Sequence, residues 1–246
     1  MSEASIDDPF GAVKAAAGIA LEFEQLGYSI AISADIGDLT AARIKARNAP
    51  VSPFFDPLVS GLAPDRFFWM KLTGDDGSIA ALQAYRCDNV DTSLADWAPT
   101  YHIGLYMRRN EMCLPINAQP PKNSIAERIR GCLVYHGEFW VNPKVRSRKV
   151  VESFSRLGML LSLLKWQPTA IWALSTKYMA THGHPGRMGY NYLESGFLRW
   201  QWASEEKYLN EWLHVAERHS IEKMISELNT GQDESASIVG DALRSS

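Results

Sequence analysis

Residues 132–166, CLVYHGEFWVNPKVRSRKVVESFSRLGMLLSLLKW, constrain this chain more than any other stretch, because they read as a strand, a tight basic turn and a long apolar helix. Positions 133–141 are dense in β-branched and aromatic side chains, as a pleated and half-buried segment prefers, and Asn142-Pro143 stops the run. Beyond the turn, Val150, Phe154, Leu157, Leu161 and Leu164 recur at spacings of four and three, which places them on one face of a helix. That face packs on a sheet. Lys144, Arg146, Arg148 and Lys149 crowd the start of this helix, where the macrodipole already makes cations unfavourable by roughly 0.3–1 kcal/mol each. An anion would relieve them, and free N–H groups plus flexible cations at a strand-to-helix turn form a ready phosphate site. As solvated side chains on a turn, the same four residues would need no ligand.

The whole chain sets looser bounds. With 246 residues and no internal linker, it can bury one substantial core, so a single domain is expected over residues 1–228. Residues 229–246 are polar and small, the composition of a disordered tail. A formal charge of -3 gives no overall pull toward nucleic acid or an acidic membrane, so any basic site is local. The longest apolar run, near Leu160, falls short of the roughly 20 residues that a membrane helix needs. The acidic start MSEASIDDPF is unlike a signal peptide, and a cytoplasmic protein is expected. Cys87, Cys113 and Cys132 lie far apart without metal-type spacing, which suits a reducing compartment.

In chain order, 10–26 reads as an amphipathic helix closed by Gly27, 28–33 as a strand and 38–46 as a helix. Four prolines between 48 and 65 predict an irregular connection bordering a pocket. The apolar runs 67–73 and 78–86 flank G-D-D-G, a strong hairpin signal. Residues 87–128 read as a long insertion with a short strand at 102–107, and so long a weakly regular stretch suggests a lid or acceptor wall. After the central strand and helix come a strand at 169–175, a turn and short helix reaching Ser195, a strand at 197–203 and a final helix at 205–228. Leu209, Trp212, Ala216 and Ile221 would be the buried stripe of that helix. The fold class is α/β, a central mixed sheet with helices on both faces.

This order of hairpin, strand, basic turn, helix, strand, short helix and strand resembles the GNAT N-acyltransferase superfamily over residues 67–203. V-N-P-K-V-R, 141–146, is similar to the end of that family's fourth strand and the start of its acyl-CoA pyrophosphate loop. The resemblance implies phosphate contacts around Val141, Arg146, Arg148, Lys149, Val150 and Val151, with acetyl-CoA or another acyl-CoA as donor and no metal. Y-L-E-S-G-F, 192–197, matches the family's tyrosine four residues before Gly-Phe, which implies Tyr192 as the acid that protonates the leaving thiolate, aimed by the short helix. Two departures stand out. The loop's usual arginine-x-x-glycine-x-glycine reads Arg146-Ser147-Arg148-Lys149-Val150-Val151, where a side chain at Val151 could obstruct a phosphate. The family's last strand is also not evident after Ala203. The lost glycines leave open a donor carried on acyl carrier protein, as in the related homoserine-lactone synthases, or a non-catalytic GNAT-like binding or sensor protein.

Acyl transfer to a small-molecule amine needs a base, an oxyanion donor and an acid. His136 and Glu138, two apart in the central strand, share a face as bases at the cleft or as a structural pair in the core, in which case Tyr135 and Gly137 line the cleft. His182 and His184 suit a turn better than a metal site, since no carboxylate or cysteine lies beside them. His102 could reach a substrate, and His214 and His219 would be surface or boundary residues of the last helix. Ser153, Ser155 and Ser175 lack a nucleophile-elbow pattern, so no covalent intermediate is expected. Trp69, Trp97 or Trp140 in the cleft would favour an apolar acceptor or a long acyl chain.

Overall fold

The structure, a computed structural model, describes residues 7–109, 113–117, 120–202 and 208–244. Helix α1 (Pro9–Gln25) starts where Asp8 accepts a 2.7 Å hydrogen bond from the Gly11 N–H, with Pro9 in the first turn. Strand β1 (Tyr28–Ser33) leads to α2 (Ile36–Arg47), capped by Asp35 and closed by Asn48 at φ 51°. A loop with a single helical turn, α3 (Pro57–Ser60), precedes the hairpin of β2 (Phe67–Gly74) and β3 (Ile79–Val90). Next come α4 (Leu94–Arg108), β4 (Cys113–Asn117), β5 (Gly131–Val141) and α5 (Arg148–Trp166). Then follow β6 (Ala170–Ser175), α6 (Lys177–Thr181), α7 (His184–Met188), β7 (Tyr192–Trp202), β8 (Tyr208–Glu217) and α8 (Arg218–Arg244).

Among the described residues the strands form one eight-stranded sheet in the order β1-β2-β3-β5-β6-β8-β7-β4. Every neighbouring pair is antiparallel except β5 and β6, whose connection through α5 makes them parallel. One face is covered by α1, α5 and α8, which bury Phe23, Phe154, Leu160 and Ile221 against Met70, Val134 and Ile171. The other is covered by α2, α4 and the loop before α3, with Leu39, Phe54, Phe55 and Leu94 against Leu82, Leu133 and Trp172. This is the expected α/β sheet with helices on both faces. No described helix is long and apolar enough to cross a membrane.

Four local expectations are overturned. Residues 208–217 are strand β8 rather than the first half of a last helix, and helix begins only at Arg218. Leu213, Val215, Ala216 and His214 are all buried there, so a strand covered on both faces loses its alternation and the apolar positions mimic a helical stripe. The short helix ends at Met188, not at Ser195, because residues from Tyr192 pair with β8. Residues 102–107 belong to α4, whose cap Ser93 accepts from the Asp96 N–H. Finally, α8 continues to Arg244, over 229–244 where composition suggested a disordered tail.

Buried Arg86 on β3 fixes the loop that later matters. Its guanidinium pairs with Asp88 at 2.8 and 2.9 Å and donates to the Phe54 carbonyl at 2.6 Å and to the Tyr101 hydroxyl at 2.8 Å. Loop 51–56 is thereby tied to both the sheet and α4. Arg109 adds a 2.6 Å bond to the Val51 carbonyl.

Candidate functional site

Strands β5 and β6 pair only from Leu133 with Ala170 to Tyr135 with Trp172, although β5 continues to Val141 and β6 to Ser175. Past that point they part, and each leaves a backbone edge without its neighbour. The gap opens at the carboxyl ends of two parallel strands, where open α/β sheets bind ligands. A cleft of about 390 Å³ lies there, lined by both strand ends, by α2 and Ser52, and by Met179, Pro185, Met188, Tyr190 and His214. A larger, shallower depression of about 860 Å³ beside α4 gathers Ser93, Asp96, Lys122, Glu127 and Arg130, but no strand ends or buried titratable group.

A bulge shapes the β5 wall. Gly137 faces Ala84 and Trp140 faces Leu82, so Glu138 and Phe139 together oppose Gln83. Glu138 takes φ 54°. His136 and Glu138 therefore do not share a face: the extra residue reverses the alternation between them. His136 stacks on Tyr85 at 4.4 Å, on the α5 side. Glu138 turns to the α2 side, where it accepts a 2.8 Å bond from the Ser52 N–H and pairs with Arg43 Nε at 2.9 Å. Both nevertheless line the cleft, as do Tyr135 and Gly137.

Two hydrogen-bonded pairs sit at the parting. His136 Nδ1 and the Tyr190 hydroxyl are 2.6 Å apart, and the Ser175 hydroxyl and His214 Nε2 are 2.5 Å apart. Burial, with His214 nearby, holds His136 down at about 3, and burial holds His214 at about 4. Both imidazoles are neutral at neutral pH. The Tyr190 phenol is pushed well above its ordinary value, mainly by burial and secondly by Tyr135, so it keeps its proton.

The basic turn lies at the same end of the sheet. Ser147 caps α5 by accepting from the Val150 N–H at 3.1 Å, and its carbonyl takes the Val151 N–H. The N–H groups of Arg148 and Lys149 are left without intrahelical partners. Val150 and Val151 point their side chains into the core, so the valine at 151 obstructs nothing at the helix start. Arg146 closes the turn on the Val141 carbonyl at 3.0 Å and lies near His184, next to cleft-lining Pro185. Arg148 pairs with Glu152, and Lys149 turns away to Glu22 of α1 at 3.4 Å, beside a separate cavity.

A hairpin, a strand, a basic turn, a helix and a parallel strand that parts from the first thus follow one another as the resemblance implies. The fold is GNAT-like. Strand β8 supplies the last strand that the sequence seemed to lack. No family model matches the chain, and no curated protein matches it. Solved structures similar to it include FeeM, an N-acyl amino acid synthase from uncultured soil microbes, at 8% identity over 79% of this chain and 92% of that one, TM-score 0.43. NAA60 of Arabidopsis thaliana in complex with acetyl-CoA overlaps at 13% identity over 77% and 98%, TM-score 0.45. An acyl-CoA N-acyltransferase from Pseudomonas aeruginosa overlaps at 8% identity over 77% and 99%, TM-score 0.42. All three TM-scores lie below 0.5, and neither the fold nor the chemistry of this chain rests on them.

Within this GNAT-like frame, Tyr192 opens β7 opposite Val215, is exposed, and is not among the cleft-lining residues. Tyr190 is. The motif's spacing is displaced because Glu194 faces Leu213 while Leu198 faces Glu211, so β7 runs two residues longer than its partner around Gly196 at φ 77°. His214 was placed on a helix surface because β8 read as helix, and reading 208–217 as a doubly buried strand was the signal that would have set it beside Ser175 of β6. The described residues of the insertion 87–128 contribute none of the cleft lining; α4 instead braces loop 51–56 from behind. Trp69, Trp97 and Trp140 pack in the core on the α2 side, and the His102 side chain lies outside the described residues. His182 and His184 are engaged locally with Tyr178 and Arg187.

Proposed function

We propose that this protein is an N-acyltransferase that moves an acyl group from acyl-CoA to an amine. The observation that carries the reading is the pair of unpaired strand edges facing each other across the cleft. Such edges bind an extended ligand that bears its own amides, as β-strand addition does, and the pantetheine arm of an acyl-CoA is one. Its phosphates would lie toward the start of α5, where Arg146 and the free N–H groups of Arg148 and Lys149 attract anions. The thioester then comes to the parting of β5 and β6.

There the residues divide into an acceptor for one proton and a donor for another. The amine nitrogen attacks the thioester carbonyl carbon; the C–N bond forms and the C–S bond breaks. The proton leaving nitrogen passes to Ser175 Oγ, whose own proton moves to His214 Nε2 along the existing hydrogen bond. A neutral imidazole at this pH is able to take it. The thiolate takes a proton from the Tyr190 hydroxyl. In the tautomer with Nδ1 protonated, His136 donates to the Tyr190 oxygen, leaves the phenolic proton free for the cleft, and steadies the tyrosinate that forms. Tyr190 thus takes the acid role that the sequence motif suggested for Tyr192. Glu138, held by Arg43 and Ser52, presents a carboxylate to the incoming ammonium group, which gives its first proton to solvent before the free amine attacks.

The test is thiol release from acetyl-CoA and longer acyl-CoAs with a panel of amines, alongside calorimetric titration of CoA. Micromolar CoA binding with amine-dependent thiol release is expected. Absence of both across the panel removes the reading.

A further inference from the structure

The cleft wall formed by α2 carries more positive charge than the protein neutralises. Arg43 and Arg47 stand one turn apart on α2 and both line the cleft beside Glu138. Arg43 Nε meets Glu138, while its Nη1 is buried with no hydrogen-bond partner. Arg47 makes no hydrogen bond or ion pair among the described residues; burial first, and then Arg43, depress its pKa against a partial offset from Glu138. One carboxylate therefore faces two guanidiniums, and that carboxylate is already shared with the Ser52 N–H. A planar fork of donors left open in a cleft matches a carboxylate in two parallel bonds.

Glu138 and Arg47 together present opposite charges on one wall. We propose that the amine acceptor also carries a carboxylate, with Arg47 holding that group, Arg43 beside it, and the amine lying toward Glu138. The acceptor class is then an amino acid; a plain amine leaves Arg47 unmatched and a polyamine is repelled by it. The reaction assigned to this acceptor rests on the N-acyltransferase reading, while the binding site does not.

N-acetylleucine and N-acetylisoamylamine differ only in the carboxylate, and their binding can be measured by calorimetry whether or not the protein turns over. The acid should bind at least tenfold more tightly, and Arg47→Met, a change at an exposed position, should abolish that preference without weakening the neutral compound. Equal or tighter binding of the neutral compound, binding of neither, or a preference that survives Arg47→Met overturns the inference. Thiol release from acyl-CoA with leucine and with isoamylamine is followed in parallel. No release with either, combined with an intact binding preference, refutes the acyltransferase reading and supports the carboxylate site.

Discussion

Acidification from pH 6.5 to 4.5 should unfold this protein more readily, and the size of the effect follows from two buried histidines and one partly buried carboxyl. His136 and His214 are held down at about 3 and about 4 by burial, so in this window the unfolded chain binds two protons that the native fold refuses. Glu211 on β8 works in the opposite sense, because burial raises its carboxyl to about 8 and the native fold keeps a proton that the unfolded chain has lost. The net difference grows from near zero at pH 6.5 to about one proton by mid-window, which gives a loss of about 2 kcal/mol across the window. Between pH 8 and 6.5 Glu211 dominates, partly offset as the unfolded histidines begin to protonate, and stability should rise by about 1 kcal/mol as the pH falls. The maximum therefore lies near pH 6.5. Urea unfolding followed by tryptophan fluorescence at half-unit pH steps measures it. A drop of about 4–8 °C in Tm between pH 6.5 and 4.5 is the thermal equivalent for a chain of this size. His214→Asn should flatten the acid limb and Glu211→Gln should double its slope. A wild-type stability that stays level or climbs from pH 6.5 to 4.5 would refute the reasoning.

Two further outcomes separate the chemistry from the scaffold. Tyr190→Phe should lower kcat by about 100- to 10,000-fold with donor affinity nearly unchanged, whereas Tyr192→Phe should stay within about twofold of wild type. The reverse order, read from steady-state kinetics, would return the acid role to Tyr192. Arg146→Ala should weaken acyl-CoA binding at least tenfold by calorimetry, and an unchanged dissociation constant would take the turn out of the donor site.

Much of the architecture was legible because the informative segments are long and periodic. The strand, turn and helix of 132–166, the G-D-D-G hairpin and the N-terminal helix all appear close to their expected bounds. The site was legible only in part, and the obstacle was irregularity. Alternation places His136 and Glu138 on one face until a single extra residue at Glu138 moves them apart, and no side-chain type announces that residue. The same difficulty recurs at Gly196, where two extra residues in β7 break the register, and Tyr190 rather than Tyr192 lines the cleft. Ser175 and His214 come from neighbouring strands far apart in sequence, so only the register of Ser175 with Trp212 and of Ala173 with His214 brings them together. Arg43 and Arg47 carry no motif in the sequence, and only the fold sets them beside Glu138 at the cleft.

The parallel ladder between β5 and β6 holds three residue pairs, and it is the sole strand pairing between the half-sheet β1-β2-β3-β5 and the half-sheet β6-β8-β7-β4 among the described residues. Mechanically this is a hinge placed at the apex of the cleft. The cores on both faces span the two halves, and with strand pairing confined to three residue pairs a change in the angle between the halves would widen or narrow the cleft. An extended ligand that bonds to both edges acts as a further strand, bridging the halves far from the apex, where its leverage is greatest. Donor binding should then slow amide exchange at Leu133 and Val134, which lie outside the cleft lining, as much as at the edges it covers.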